Sequence, residues 1–170
     1  PSSIAINWST SSFESMRNEP HSDLANADFR FKNYEHQISF SATGIYAPTF
    51  RCSNAPIFLN KASRIFLRNK KQRTYFLGLL NSKLAKYLIK TFLNHGVDVE
   101  IDDLKEFLVR DSIVEPIVNL VEEIMKKQKI NSEYDYANNE QVQIDRLVYE
   151  SYGLNNSDIQ EVENWYSRRY

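Results

Sequence analysis

The sequence is short of most of the residues from which active sites are assembled. It has one cysteine, Cys52, so an internal disulfide is excluded and a reducing cytoplasm is the expected compartment. Its three histidines, His21, His36 and His95, lie far apart, and with one cysteine they give no metal-ligand spacing. The four glycines, Gly44, Gly78, Gly96 and Gly153, stand singly, which excludes a glycine-rich phosphate loop. There is no Pro-Pro dipeptide; the nearest string is Asn54-Ala55-Pro56-Ile57. No apolar run approaches the roughly 18 residues that span a bilayer, so no membrane partner is expected. No signal-peptide pattern is read at the start, and Pro1 in place of Met fits a piece of a longer protein.

The most informative absence is of negative charge. From residue 36 to residue 97 there is no aspartate or glutamate, against ten Lys and Arg. Residues 1–35 carry three basic against five acidic side chains, and residues 98–170 carry eight against seventeen. The whole chain is therefore nearly neutral, at −1, only because a basic middle is offset by an acidic remainder. Such asymmetry points to a polyanionic partner for the middle segment. The other reading is that the two parts neutralise each other across the fold.

What is present supports a sizeable core. Apolar residues make up 42 % and aromatic residues 13 %, with ten Tyr and ten Phe. Up to about Lys70 the chain reads as β-rich: SIAINWS, DFRFKNY, QISFSATGIYA, APIFLN and SRIFLR are short, rich in Ile, Phe and Tyr, and partly alternating. Poor alternation in Ile65-Phe66-Leu67-Arg68 suggests a strand buried on both faces. Ser9-Thr10-Ser11-Ser12 and Glu19 to Asp23 read as loops.

From about Asn69 the period becomes helical. Leu77, Leu80, Leu84, Tyr87, Leu88 and Phe92 mark one helix stopped by Gly96, with Lys83, Lys86 and Lys90 on another face. Val97 to Ile101 reads as extended. Ile113, Ile117, Leu120, Val121 and Ile124 mark a second helix, opened either by a Ser112/Glu115 capping box or by Pro116 in its first turn. Residues 128–140 read as a linker. A third helix runs from Val142 to Tyr152 and ends at Gly153, and Ser157 with Gln160 opens a fourth. The expected fold is α+β: a β-rich module over residues 1–70 followed by a helical region over 71–170, together one recognition domain.

Catalytic chemistry finds no footing. Asp98-Val99-Glu100 is similar to the acidic pair of a metal-dependent nuclease, but the lysine expected two residues after the Glu is Asp102. Neither a catalytic set nor a metal site is read. Basic residues interleaved with Phe and Tyr suit phosphates and base edges instead. The candidate DNA-binding residues are Arg30, Lys32, Arg51, Lys61, Arg64, Arg68, Lys70, Lys71 and Arg73. Lys83, Lys86 and Lys90 fit DNA contact and a solvated helix face equally well.

Several blocks, in order, carry a resemblance. Leu77-Gly78-Leu79-Leu80-Asn81-Ser82-Lys83 resembles an LLGLLNSK segment, and Asp145 to Leu154 (DRLVYESYGL) resembles IDELVYELYGL. Glu163 to Tyr170 (ENWYSRRY) resembles EEWYxRRY. Ile6-Asn7-Trp8-Ser9, Phe29-Arg30-Phe31-Lys32, Ile38 to Pro48 and Asn94 to Leu104 resemble further blocks, whereas 49–72 aligns poorly. These are features of the TaqI-like C-terminal specificity domain of restriction-modification and phage-defence adenine methyltransferases. The resemblance implies sequence-specific binding of double-stranded DNA. It also implies a missing catalytic half: a methyltransferase domain with an Asn-Pro-Pro-Tyr-type motif and S-adenosylmethionine, in some members fused to a restriction endonuclease. On that reading this chain is not itself an enzyme and needs no cofactor of its own. The acidic helices after residue 98 face away from DNA and brace the domain or dock on the methyltransferase. The alternative is a helical protein-interaction module with a basic surface.

Overall fold

A computed structural model of the protein describes residues 9–18, 36–52, 62–107 and 112–170. The chain forms two compact units. One comprises Pro1–Asn33 with Ala55–Phe58, and the other Tyr34–Asn54 with Leu59–Tyr170. In the first unit, helix α1 covers Thr10–Asn18. Residues 9–12 were expected as a loop; Ser9 instead turns its hydroxyl to the Ser12 N–H, 3.3 Å away, at the start of that helix. The expected strands SIAINWS, DFRFKNY and APIFLN lie outside the described residues, apart from Ser9.

The second unit is α+β. Strands β1 (Gln37–Ser41), β2 (Phe50–Arg51) and β3 (Ala62–Phe66) form an antiparallel sheet in the order β2-β1-β3. In the central strand Ile38 and Phe40 point into the core, as period-2 alternation requires, and Phe40 meets Phe50 with ring centroids 5.2 Å apart. β3 was expected to be buried on both faces. It is an edge strand with Phe66 38 % exposed, and the residue it buries is Arg64. The sheet shares its core with the helices.

The helices are α2 (Lys70–Asn81), α3 (Lys83–Leu88), α4 (Ile101–Lys105), α5 (Glu115–Ile130), α6 (Glu140–Tyr152) and α7 (Asn156–Ser167). A π-helical turn, Ile89–Leu93, continues α3. The single helix expected between residues 70 and 96 is broken at Ser82, whose ψ of 157° leaves the helical region. Extended backbone was expected through Ile101, which instead begins α4. Helix α5 uses Pro116 in its first turn and takes Val114 as its cap, so no Ser112/Glu115 box forms. Its apolar stripe is arranged as periodicity dictates: Ile117, Val121 and Ile124 are buried, and Ile113 and Leu120 pack beside them. Helix α6 ends at Gly153 in the left-handed conformation, φ 71°. Helix α7 opens two residues earlier than expected, because Asn155 and Asp158, not Ser157 and Gln160, exchange capping bonds. None of these helices is long and apolar enough to cross a membrane.

Helices α2 and α5 cross at Gly78. A Cβ built there would lie 2.7 Å from Ile117 Cγ2 and 2.8 Å from Val121 Cγ2. Both neighbours are β-branched and stiff, so neither yields easily. Helices α5 and α6 are tied by Lys127, whose ammonium reaches Glu140 at 2.6 Å, with the Tyr134 hydroxyl donating to the same carboxylate at 2.9 Å. Burial works against charge on Glu140, but the bonds from Lys127, its own backbone and Tyr134 outweigh it and hold the carboxyl below its usual range.

Two predictions follow from these contacts. Gly78→Ala gains about 1 kcal/mol of helix propensity and incurs about 1–3 kcal/mol of overpacking, for a net loss of stability in urea melts. Glu140 in the unfolded chain takes up its proton at higher pH than in the folded chain. Its contribution is complete above the ordinary glutamate pKa and disappears as pH falls through the depressed folded value. Glu140→Gln therefore lowers stability at neutral pH and flattens its decline in acid, read as unfolding free energy against pH.

Candidate nucleic-acid interface

The nine described cations of the acid-free segment divide into an internal set and a surface set. Lys83, Lys86 and Lys90 belong to the internal set, so they form neither a solvated face nor a free cationic stripe. Lys90 is 4 % exposed, with its ammonium on the carbonyls of Gly96 (2.7 Å) and Gly44 (3.3 Å). Burial lowers its pKa, and nearby Arg169 adds to the effect. Lys86 sets its ammonium 5.3 Å from the ring centroids of both Tyr166 and Tyr170. Burial lowers its pKa too, opposed by Asp145.

Lys83 is the centre of a cluster. Its backbone N–H donates to Asp145 Oδ1 at 2.9 Å, and its ammonium reaches Glu163 Oε2 at 2.6 Å. The Tyr149 hydroxyl donates to Glu163 Oε1 at 2.9 Å, and Lys83 sits 5.2 Å from the Tyr166 ring centroid. Burial, followed by the Glu163 bond, pushes the Tyr149 hydroxyl far up. Burial also raises the Asp145 carboxyl, against the bonds from Lys83 and Gln141. Local chain geometry explains the arrangement. The break at Ser82 exposes the first N–H groups of α3; the Ser82 hydroxyl accepts from Ala85, and Asp145 accepts from Lys83.

Asn81 completes the break. Its amide accepts from the Phe50 N–H at 3.0 Å and donates to the Phe50 carbonyl at 2.9 Å, so it pairs edge strand β2 as another strand would. A second donation, to Leu77 O at 2.9 Å, holds the side chain in place.

The expected DNA-binding residues are dispersed. Arg30, Lys32 and Lys61 lie outside the described residues. Arg64 is a correction: it is 7 % exposed, with Nη1 on Gln37 Oε1 at 2.7 Å, and so is withdrawn from phosphate reach. Its strand position looked like a surface site, but register places it opposite Ser39, one step diagonally from Gln37. Arg73 is half-buried in α2, where its charge lies near Cys52, a thiol that burial pushes up and Arg73 pulls down. Arg51 and Arg68 are exposed. Lys70 and Lys71 are exposed on the first turn of α2 and pair with Glu122 (2.9 Å) and Glu115 (2.6 Å) of α5. Exposed pairs of this kind are worth about 0–1 kcal/mol, so these two lysines exchange partners at little cost.

The structure thus brings Arg68, Lys70 and Lys71 together at the entry to α2, with Asn69 between them accepting from the Gln72 N–H at 2.9 Å. Arg51 sits apart, on β2. Sequence reasoning missed the role of Lys83, because its carboxylate partner is 80 residues away. It missed β2 because two residues carry no period. No family model, curated protein or solved structure matches the chain.

Asn81→Ala removes both bonds to Phe50 and leaves the outer edge of β2 without a partner. The expected loss is about 1–3 kcal/mol in urea melts, with faster amide exchange at Phe50 than at Ile38.

Proposed function

We propose that the chain binds duplex DNA sequence-specifically, as the target-recognition part of a restriction-modification adenine methyltransferase whose catalytic domain lies elsewhere in the parent protein. The observation that supports this reading most is the convergence at Lys83. The three blocks with the clearest resemblance to TaqI-like specificity domains are distant in sequence, yet Lys83, Asp145 with Tyr149, and Glu163 with Tyr166 form one bonded cluster. Blocks held in one cluster constrain one fold together, which makes their shared order meaningful. These residues support the domain and do not touch DNA. Phosphate contact falls to Arg68, Lys70 and Lys71 at the entry to α2, where exposed charge and the first N–H groups of a helix lie together. Arg51 is a second contact on β2, and base edges are read by polar side chains of the β module. The chain does no chemistry of its own; S-adenosylmethionine belongs to the methyltransferase domain, and the assembly works in the cytoplasm.

A protein-interaction module is favoured by one separate observation. Ile45, Tyr46, Phe92, Val97 and Tyr170 are exposed large apolar residues, with Ile45 75 % and Phe92 65 % exposed. Gly44 bonds Val97, and Tyr46 lies 5.1 Å from Tyr170, so part of this set is contiguous. On the DNA-binding reading this surface receives the methyltransferase domain.

The test is selection from a pool of randomised duplexes at two salt concentrations, with wild type and the Arg68→Glu/Lys71→Glu double variant. The expected result is an enriched short motif. Affinity falls steeply with salt, and the double variant loses about tenfold or more with a shallower salt slope. Binding without an enriched motif, or a double variant that binds as wild type, overturns the assignment.

A further inference from the structure

A groove of about 930 Å³ runs between β2, the α2–α3 junction and helices α5 and α6. Its floor is apolar, with Leu77, Gly78, Val121, Ile124 and Ile144. Tyr136 and Tyr166 stand on its walls. Four cations, Arg51, Lys83, Lys86 and Lys129, line it; Lys83 is paired with Glu163, and among the described residues none of the other three has a carboxylate within ion-pair distance. Among the described residues the Lys86 ammonium sits over the Tyr166 and Tyr170 rings, and burial lowers its pKa, so part of its hydration is already lost when an anion arrives.

The one carboxylate among the groove's described lining residues is Asp145. Its Oδ1 accepts from the Lys83 N–H and from Gln141 Nε2, while its Oδ2 is buried with no partner. A buried acceptor left unmade is costly, and a ligand that donates to it recovers that cost. The groove therefore combines an apolar floor, two tyrosines, three cations without a carboxylate partner and one acceptor without a donor. Its size suits a small molecule.

We propose that this groove is a nucleotide site, taking a base with an exocyclic amino group directed at Asp145 and its phosphate at Arg51, Lys86 and Lys129. A nucleotide supplies all three features at once: a planar ring for floor and rings, an anion for the cations, and an N–H donor for the free oxygen. An acidic peptide meets the cations but brings carboxylates towards Asp145. The nucleotide is either free or an unpaired residue of a strand; the chemistry recognised is the same. Arg51 is shared with the proposed duplex contact, whereas Lys86, Lys129 and Asp145 play no part in it, so variants at Lys129 and Asp145 test this site separately.

The test titrates the chain with dAMP, dCMP, dTMP, inorganic phosphate, a short deoxyadenosine strand and an acidic peptide, followed by amide chemical shifts. The expected result is saturable binding of dAMP and dCMP, with shifts confined to the groove lining: β2, residues 77–86, 121–129 and 136–145, and Tyr166. Binding is about tenfold or more weaker for dTMP and for phosphate alone. Lys129→Glu, at an exposed position, weakens dAMP binding by a similar factor while duplex binding is kept. Asp145→Asn, checked for folding by circular dichroism, turns the free acceptor into a donor and shifts preference towards dTMP. A strand that binds much more tightly than dAMP identifies the source as an unpaired nucleotide, and equal affinities identify a free one. Equal binding of dTMP and dAMP, phosphate alone as tight as dAMP, preference for the acidic peptide, or shifts outside the groove each overturn the proposal.

Discussion

The hydrogen bond from the Lys83 backbone to buried Asp145 organises the helical part of this protein. A helix interrupted at Ser82 has N–H groups with no partner inside the helix, and a buried carboxylate has a charge with no water. Each supplies what the other lacks. The bond sets α6 against the α2–α3 break, and the Lys83 side chain extends the tie to α7 through Glu163. Asn81, immediately before the break, ties the sheet edge to the same place. Five elements, α2, α3, α6, α7 and β2, therefore meet at three consecutive residues, and this is the physical content of the Asn81-Ser82-Lys83 string.

That arrangement changes the meaning of the positive charge. A cationic helix facing solvent would offer its lysines to any polyanion. Here Lys83 and Lys90 are bound to oxygens of the same chain and Lys86 to its aromatic rings, while Arg64 is closed within the sheet. Neutralisation across the fold accounts for part of the charge asymmetry, and the surface remainder is what the proposed DNA contact would use. The internal cations answer acids and carbonyls across the fold, and Arg51, Arg68, Lys70 and Lys71 remain at the surface for a partner. Pairing of Lys70 and Lys71 with α5 acids is weak enough to leave that role open.

Legibility in the sequence followed the length of the pattern. Helix α5 was readable from five apolar positions at helical spacing, and the end of α6 from one glycine. β1 was readable from Ile38 and Phe40. The break at Ser82 was hidden because apolar spacing continues through it, from Leu80 to Leu84, although a single serine has turned the backbone. α1 was hidden because its first residues are serines and threonine, which serve loops and helix caps alike. Of the candidate site, the surface cluster Arg68–Lys70–Lys71 was legible from local charge. The groove was not, because its lining comes from five separate stretches of chain.

The sequence by itself determined the α+β composition, the helical periodicity after residue 69 and the existence of an acid-free basic segment. All three are properties of neighbours along the chain, set by side-chain spacing and local backbone preference. The tertiary structure alone decided which cations are buried, which strand forms the sheet edge, and that Gly78 is a helix crossing. Those outcomes depend on residues tens of positions apart, such as Lys83 with Glu163 and Gly78 with Ile117, and no local pattern encodes which of several possible partners a side chain meets.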